Sequence, residues 1–451
     1  MLVLSAVVWL VFLSVQTVRA WRFSAKNILF SAALISLFYA ALHLICLVFV
    51  KLMSSRDDRL AMRVMTSLAE EHKMGIRAML SGATYEMYDR DIGWVLRPGY
   101  SGDGVTISQQ GLRSHREYAI PPLDPERRFL CLGDSFTFGN GVSDTETYPA
   151  CAEQLRPGTE WVNLGISGSC LTQCLLHYRK NGRKFGGRHV VIGFMTDDGK
   201  RTVNSFRAFL TPYNPFTKPF AKYSNGKFSI EPNPYQDISD YQKLLANEGP
   251  EIERLVKIDY LTWSNQAASR NPVLRTAGYV VEAMHVERNI DVLLHRPAKK
   301  VPVKATKTTT RVDPYSRLTW DESEKHWSFN AGGVDPYGQA IWNPDSPGFV
   351  ALTRVFDLLY NEIITDGRVP LIVLIPGPFD VENYRRQYPR VYGSLVDHLK
   401  AKGYHCLDFL DPLVALHKDD LSMKTIFVAR HFRPSINKEL AARIIKELQV
   451  P

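Results

Sequence analysis

Residues 128–142 read R-F-L-C-L-G-D-S-F-T-F-G-N-G-V. A serine among glycines, directly after a short apolar run, is where a parallel α/β sheet exposes a nucleophile: the buried strand ends, the chain turns sharply and the hydroxyl is left at the sheet edge. Phe129, Leu130, Cys131 and Leu132 supply the run, Gly133, Gly139 and Gly141 the tight backbone, and Ser135 the hydroxyl. The same local pattern fits an ordinary strand-to-helix turn in which Ser135 only caps the next helix. Residues elsewhere in the chain must separate the two readings.

Three further stretches carry polar groups at the ends of candidate strands or helices. They are N-L-G-I-S-G at 163–168, G-F-M-T-D-D at 193–198 and H-F-R-P-S at 431–435. Positioning them requires strands at Arg128–Leu132, Glu160–Leu164, Arg188–Phe194, Pro370–Ile375 and Tyr404–Phe409. Helices are expected at Phe349–Thr365, Tyr384–Lys402 and Pro434–Leu448. Five apolar strands alternating with helices imply an α/β fold with a doubly wound parallel sheet, whose ligands bind at the strands' carboxyl ends.

Before this core, residues 1–18 and Ile28–Val50 are two apolar runs of membrane-spanning length, separated by Arg19–Asn27 with no acid. They read as a transmembrane hairpin, domain 1–53. The short basic loop favours a cytoplasmic tip, which places the main domain outside, although Lys51, Arg56, Arg59 and Arg63 nearly balance the charge count. A helical stalk is expected over 54–87, followed by short strands and turns from Tyr88 to Arg113. The core domain spans 88–213 and 347–451. An insertion over 214–346, with a basic stretch at 295–311, reads as a lid or substrate collar above the sheet edge.

The chain has 451 residues, 45% hydrophobic and 22% charged, and its 55 Lys+Arg against 46 Asp+Glu leave a net charge of +9. Disorder throughout is excluded, and an excess this diffuse does not call for nucleic acid. Six cysteines (46, 131, 151, 170, 174 and 406) have no zinc or disulfide-framework spacing and read as small buried residues, and no motif in the chain implies a metal or an organic cofactor.

Taken in order, the blocks resemble the SGNH/GDSL hydrolase superfamily. L-G-D-S-F-T-F-G-N-G-V matches its nucleophile motif with Ser135 in the serine position. N-L-G-I-S-G fits the second block, with Gly168 where the family uses a glycine backbone N–H, and H-F-R-P-S-I-N-K-E-L-A looks like its histidine block. The resemblance covers roughly 88–210 and 349–449. It implies a flavodoxin-like five-stranded sheet, Ser135 as nucleophile, His431 as base, and oxyanion donors at the Ser135 N–H, Gly168 and a side chain in the third block.

Two positions depart from the family pattern. The third block has Asp197 and Asp198 where the family has an asparagine, and a carboxyl group can donate only if burial keeps it protonated. Asn204 or Arg201 downstream are the alternatives. Two and three residues before His431 stand Ala429 and Val428, where the family carries the triad aspartate. Asp408, Asp411, Asp419 or Asp420 could serve from elsewhere, or a backbone carbonyl could orient the ring. The expected activity is that of a membrane-anchored serine esterase or O-acyltransferase on O-acyl, most simply O-acetyl, groups of an envelope or exported glycan. The alternative is a catalytically silent domain that binds glycan or an assembly partner.

Overall fold

The computed structural model describes residues 25–54, 67–211, 214–259, 333–334, 340–342, 344–385, 390–417 and 421–449. The chain divides into two compact units, 1–64 with 267–295 and 65–266 with 296–451. In the first, the described element is helix α1, Ala25–Ser54. Its Phe30–Val48 stretch has a mean hydropathy of 2.1 and is long and apolar enough to cross a membrane, a test that a signal sequence also meets. Leu34, Ile35, Leu37 and Phe38 stand exposed along it. The other span expected for a hairpin, residues 1–18, lies outside the described residues.

The second unit begins with α2, Glu70–Ser81, which has two acids in its first turn and ends at Gly82 in the left-handed region (φ +81). His72, Ile76 and Met79 share its buried face. An antiparallel hairpin follows, β1 (Glu86–Asp89) and β2 (Gly93–Leu96). The α/β core then opens with β3 (Arg128–Gly133), α3 (Ser135–Phe138), α4 (Tyr148–Leu155), β4 (Glu160–Gly165), α5 (Leu171–His177), β5 (His189–Met195) and α6 (Gly199–Val203). A second hairpin, β6 (Phe220–Ser224) and β7 (Lys227–Glu231), precedes α7 (Ser239–Ala246) and α8 (Glu248–Ile258). The core resumes with α9 (Pro347–Thr365), β8 (Val369–Ile375), α10 (Pro378–Arg385), α11 (Gly393–Ala401) and β9 (Cys406–Asp408). A two-residue hairpin, β10 (Phe427–Val428) and β11 (His431–Phe432), leads into α12 (Pro434–Glu447).

The central sheet has the order β9-β8-β5-β3-β4 with every pairing parallel. In order of appearance this is 2-1-3-4-5, the flavodoxin-like doubly wound arrangement. Its strands are dominated by apolar residues because both faces are covered. Leu130, Leu132, Val190, Val191, Ile192 and Leu371–Ile375 are almost wholly shielded from solvent. Each such side chain stabilises the fold by roughly 1.5–3 kcal/mol on burial.

A second apolar core lies off the sheet. Ile76 and Met79 from α2 and Trp94 from β2 pack there with Phe206, Phe209, Phe216, Tyr235, Tyr241, Ile252 and Leu255, and Ile166 links them to the loop after β4. Residues 214–259, expected within an insertion, are thus built onto the N-terminal pieces of this unit; the basic stretch at 295–311 lies outside the described residues. The single helix expected over Tyr384–Lys402 is two, α10 ending at Arg385 and α11 starting at Gly393. Between them, residues 390–392 form a turn. All six cysteines are free thiols; five are buried and Cys406 is half-buried.

Candidate active site

Ser135 stands at the first position of α3, beyond the carboxyl end of β3, beside the point where the strand order reverses between β3 and β5. Asp134 caps the helix, its Oδ1 accepting the Phe136 N–H at 2.8 Å. Glycines let α3 sit against the strand ends. A Cβ on Gly165 would lie 2.3 Å from the Phe138 nitrogen, and one on Gly193 2.5 Å from Thr137 Oγ1. Asn163 donates to the Thr137 carbonyl at 3.0 Å and accepts the Gly165 N–H at 3.0 Å, tying helix to strand.

The loop after α3 is clamped by Arg113. Its guanidinium donates to the carbonyls of Phe138 (2.9 Å), Gly139 and Val142 (2.7 Å) and pairs with Asp144 at 2.7 Å. In the sequence Arg113 carries only the turn signal of Gly111-Leu112-Arg113, and nothing there points to this clamp. Across the loop, Gly141 faces Val428 and Ala429, its Cβ position 3.5 Å from the Val428 carbonyl. The loop therefore backs onto the hairpin that carries His431.

That hairpin sets the geometry of the histidine. Ala429 and Arg430 form its two-residue turn at φ +46° and +67°, a conformation that matches the strand twist but is unfavourable for residues with a Cβ. His431 follows on β11. Its Nε2 lies 2.8 Å from Ser135 Oγ, and its Nδ1 lies 3.0 Å from the Ala429 carbonyl oxygen. Because a carbonyl can only accept, Nδ1 carries the proton and Nε2 offers its lone pair to the serine hydroxyl. Phe136 packs beside the imidazole with ring centroids 5.0 Å apart. Burial pushes the His431 pKa down to about 4; the Ala429 hydrogen bond and the charge of Asp134 oppose this, and Arg201 and Arg430 add to it. The ring is therefore neutral at pH 7, the state a general base requires.

No carboxylate completes this pair among the described residues. Asp408 and Asp411, both candidates for a triad acid, are turned elsewhere. Asp408 pairs with Arg390 at 2.5 Å and accepts the Tyr392 hydroxyl at 3.0 Å, and Asp411 pairs with the same arginine. The sheet order explains the correction: β9, which ends in Asp408, is an edge strand three places from β3, about 14 Å at the usual strand spacing. Asp419 and Asp420 lie outside the described residues. The position two before the histidine contributes its main-chain carbonyl in place of a side chain.

Asp198 is buried and lies under the site. Its carboxyl is pushed well above the ordinary carboxylate range, by burial first and also by the neighbouring Asp134, against the pull of Arg201. A hydrogen bond with Asp134 adds to the upward shift. Asp198 also pairs with Arg201. The Asp198 carboxyl is thus engaged with Asp134 and Arg201 inside the protein. Asn204 is engaged as well, its amide donating to Phe206 O and to Asp259, each at 2.8 Å. Nothing is described of the Asp197 side chain.

Gly168 lies in the turn after β4 at φ +70°, where a Cβ would meet Asn214 Nδ2 at 2.2 Å. Its N–H has no acceptor among the described residues. Ser135, as the first helical residue, has no intrahelical acceptor for its own N–H. The two amides can serve as hydrogen-bond donors to an oxygen that gains charge as Ser135 attacks a carbonyl.

Fold and site together define a doubly wound α/β domain with a serine–histidine pair at its topological switch point. The chain is similar to two solved structures of G-D-S-L proteins, the group that the sequence blocks resemble. One is a member of the lipolytic protein G-D-S-L family from Veillonella parvula DSM 2008, with 8% identity over 72% of this chain and 99% of that chain and a TM-score of 0.32. The other, assigned to the same family, is from Desulfitobacterium hafniense DCB-2, with 12% identity over 70% and 97% of the two chains and a TM-score of 0.29. No protein-family model and no curated protein matches the chain.

Proposed function

We propose that this chain is a serine ester hydrolase or O-acyltransferase of SGNH type. Ser135 attacks an ester carbonyl, His431 takes the hydroxyl proton and returns it to the leaving alcohol, and the Ser135 and Gly168 amides bind the oxyanion. Water as acceptor gives deacylation; a sugar hydroxyl gives transfer. The observation that carries this reading is the 2.8 Å contact from Ser135 Oγ to His431 Nε2, with Nδ1 fixed by the Ala429 carbonyl. The carbonyl selects the productive tautomer, which is the orienting part of a triad acid's role. The substrate class we propose is an O-acylated, most simply O-acetylated, glycan of the cell envelope or of an exported polymer. Helix α1 would anchor the protein in the membrane with the catalytic unit on the extracytoplasmic side. The reaction needs no cofactor. A fluorophosphonate probe tests the core of the proposal: labelling that disappears in Ser135→Ala supports it, and an unlabelled native protein refutes it.

A second reading is favoured by one observation, that a carbonyl and not a carboxylate faces His431 Nδ1. An imidazolium formed during reaction would lack a full negative charge beside it. On this reading the domain binds an acylated glycan or an envelope partner without turning it over, and unlabelled Ser135 together with retained glycan binding would support it.

A further inference from the structure

The Gly168 amide can act as an oxyanion donor only if the peptide carrying it is held still. Glycine at φ +70° has more backbone freedom than any other residue, so a rotation of that peptide plane would turn the N–H away at little cost. In a trans peptide the N–H of Gly168 and the C=O of Ser167 lie in one plane and point in opposite directions. Whatever fixes the Ser167 oxygen therefore aims the Gly168 hydrogen.

Two side chains fix that oxygen. Trp94 Nε1 donates to it at 3.0 Å, and Asn214 Nδ2 donates to it at 3.2 Å. They reach it from either side of Ser167 in the sequence, Trp94 from β2 and Asn214 from the segment after α6. The two segments meet closely: a Cβ on Gly93 would lie 2.7 Å from the Thr217 carbonyl, and the Trp94 ring packs against Phe216 at 5.6 Å. Trp94 is fully buried in the second apolar core. Asn214 holds a left-handed backbone (φ +60°), and its amide occupies the space that any side chain at 168 would need. On the side-chain flank of the same residue, Asn140 Nδ2 donates to Ser167 Oγ at 2.9 Å, linking the nucleophile loop to this turn.

We propose that Trp94 and Asn214 are positioning residues for the reaction, which by donating jointly to the Ser167 carbonyl hold the Ser167–Gly168 peptide with its N–H toward the reacting oxygen. This rests on the serine-hydrolase reading above. The hydrogen bonds also polarise the peptide, strengthening its N–H as a donor. The second apolar core thus has a catalytic consequence although neither residue touches substrate.

The test uses the full chain, Trp94→Phe and Asn214→Asp, with an activated acetyl ester as substrate. Phe keeps an aromatic ring without the N–H, and Asp keeps the shape without a donor. Each variant is expected to lose roughly 10-fold in kcat with KM little changed, and the double variant to approach the ~100- to 1000-fold typical of deleting an oxyanion donor. Melting transitions are recorded in parallel. A kcat loss at unchanged KM and a cooperative melt near the native one supports the clamp. Native kcat in both folded variants, or a loss that only tracks lowered melting, overturns it. A native chain that neither labels with fluorophosphonate nor turns over ester overturns the hydrolase reading, and the clamp with it.

Discussion

Ser135 and His431 meet at 2.8 Å, yet the backbone beneath each is held by different means. Ser135 rides on a short helix set directly against the central sheet. Asp134 caps it, Asn163 ties it to β4, Arg113 clamps the loop behind it, and glycines at 133, 165 and 193 remove side chains that would push it away. His431 sits on a two-residue strand after a turn in which Ala429 and Arg430 both take left-handed conformations. The serine is positioned by close packing, and the histidine by a hairpin turn whose own carbonyl orients the ring. A site built in this way has one rigid partner and one whose geometry depends on a strained turn.

The largest expected effect removes either chemical partner. Ser135→Ala and His431→Ala are each expected to lower ester turnover by ~10^4-fold or more with the melting transition intact. Turnover close to native in either would break the pairing. The next effect tests the packed side: Gly165→Ala places a methyl 2.3 Å from the Phe138 nitrogen. That overpacking is expected to cost about 1–3 kcal/mol and to displace Ser135, read as a lowered denaturation midpoint with lost activity. An active variant of native stability would show that α3 can move.

The pH profile sharpens the comparison from the base side. With the His431 pKa pushed down to about 4, its neutral form persists well into the acid range. The acid limb of kcat/KM should therefore fall with a midpoint near pH 4, where an unperturbed histidine would give one near 6.5. The sign for stability follows from the same shift. Below about pH 6.5 the unfolded state binds the proton first, so this group's contribution is lost as pH falls toward 4. An acid limb near 6.5 would mean that the ring is solvated in solution. Asp198→Asn provides a milder check, since the amide keeps a donor for Asp134 without a titrating proton. Activity should be retained at neutral pH, and a dead but folded variant would show that the acid proton itself is required.

The smallest effect concerns the turn. Arg430→Gly places at φ +67° a residue that takes this conformation freely. Stability should rise by a few tenths of a kcal/mol to about 1 kcal/mol, provided that the gain is not offset by a more flexible unfolded chain. Equilibrium denaturation with parallel kinetics would show whether the strain matters to turnover: a more stable protein with lower kcat would assign the strained turn a role in aiming His431.

The sequence was most informative where local pattern and long-range packing agree. Residues 128–133, 160–165, 189–195 and 369–375 are mainly apolar and buried at almost every position because both faces of the sheet are covered, so their apolar runs located the strands to within a residue or two. The helix expected over 384–402 is two, because the mixed pattern there gives no sign of the turn at 390–392. At the site, Ser135, Gly168 and His431 stand out by type and block spacing. Arg113, Trp94 and Asn214 do not, since each acts through main-chain carbonyls that leave no mark in the order of side chains. Asp408 and Asp411 pair with Arg390 and not with His431 for a related reason. Distance along the chain does not tell that β9 lies at the sheet edge, with Asp408 held by Arg390 and Tyr392.

By itself, then, the sequence determined the elements and the chemical types: apolar periodicity dictates which segments must be buried, and a Gly-Asp-Ser turn after a buried strand dictates where a hydroxyl emerges. Tertiary structure alone decided the partners. Hydrogen bonds to backbone atoms are blind to the residue that carries them, so the Ala429 carbonyl that orients His431, and the Ser167 carbonyl that Trp94 and Asn214 hold, become visible only once the chain is folded.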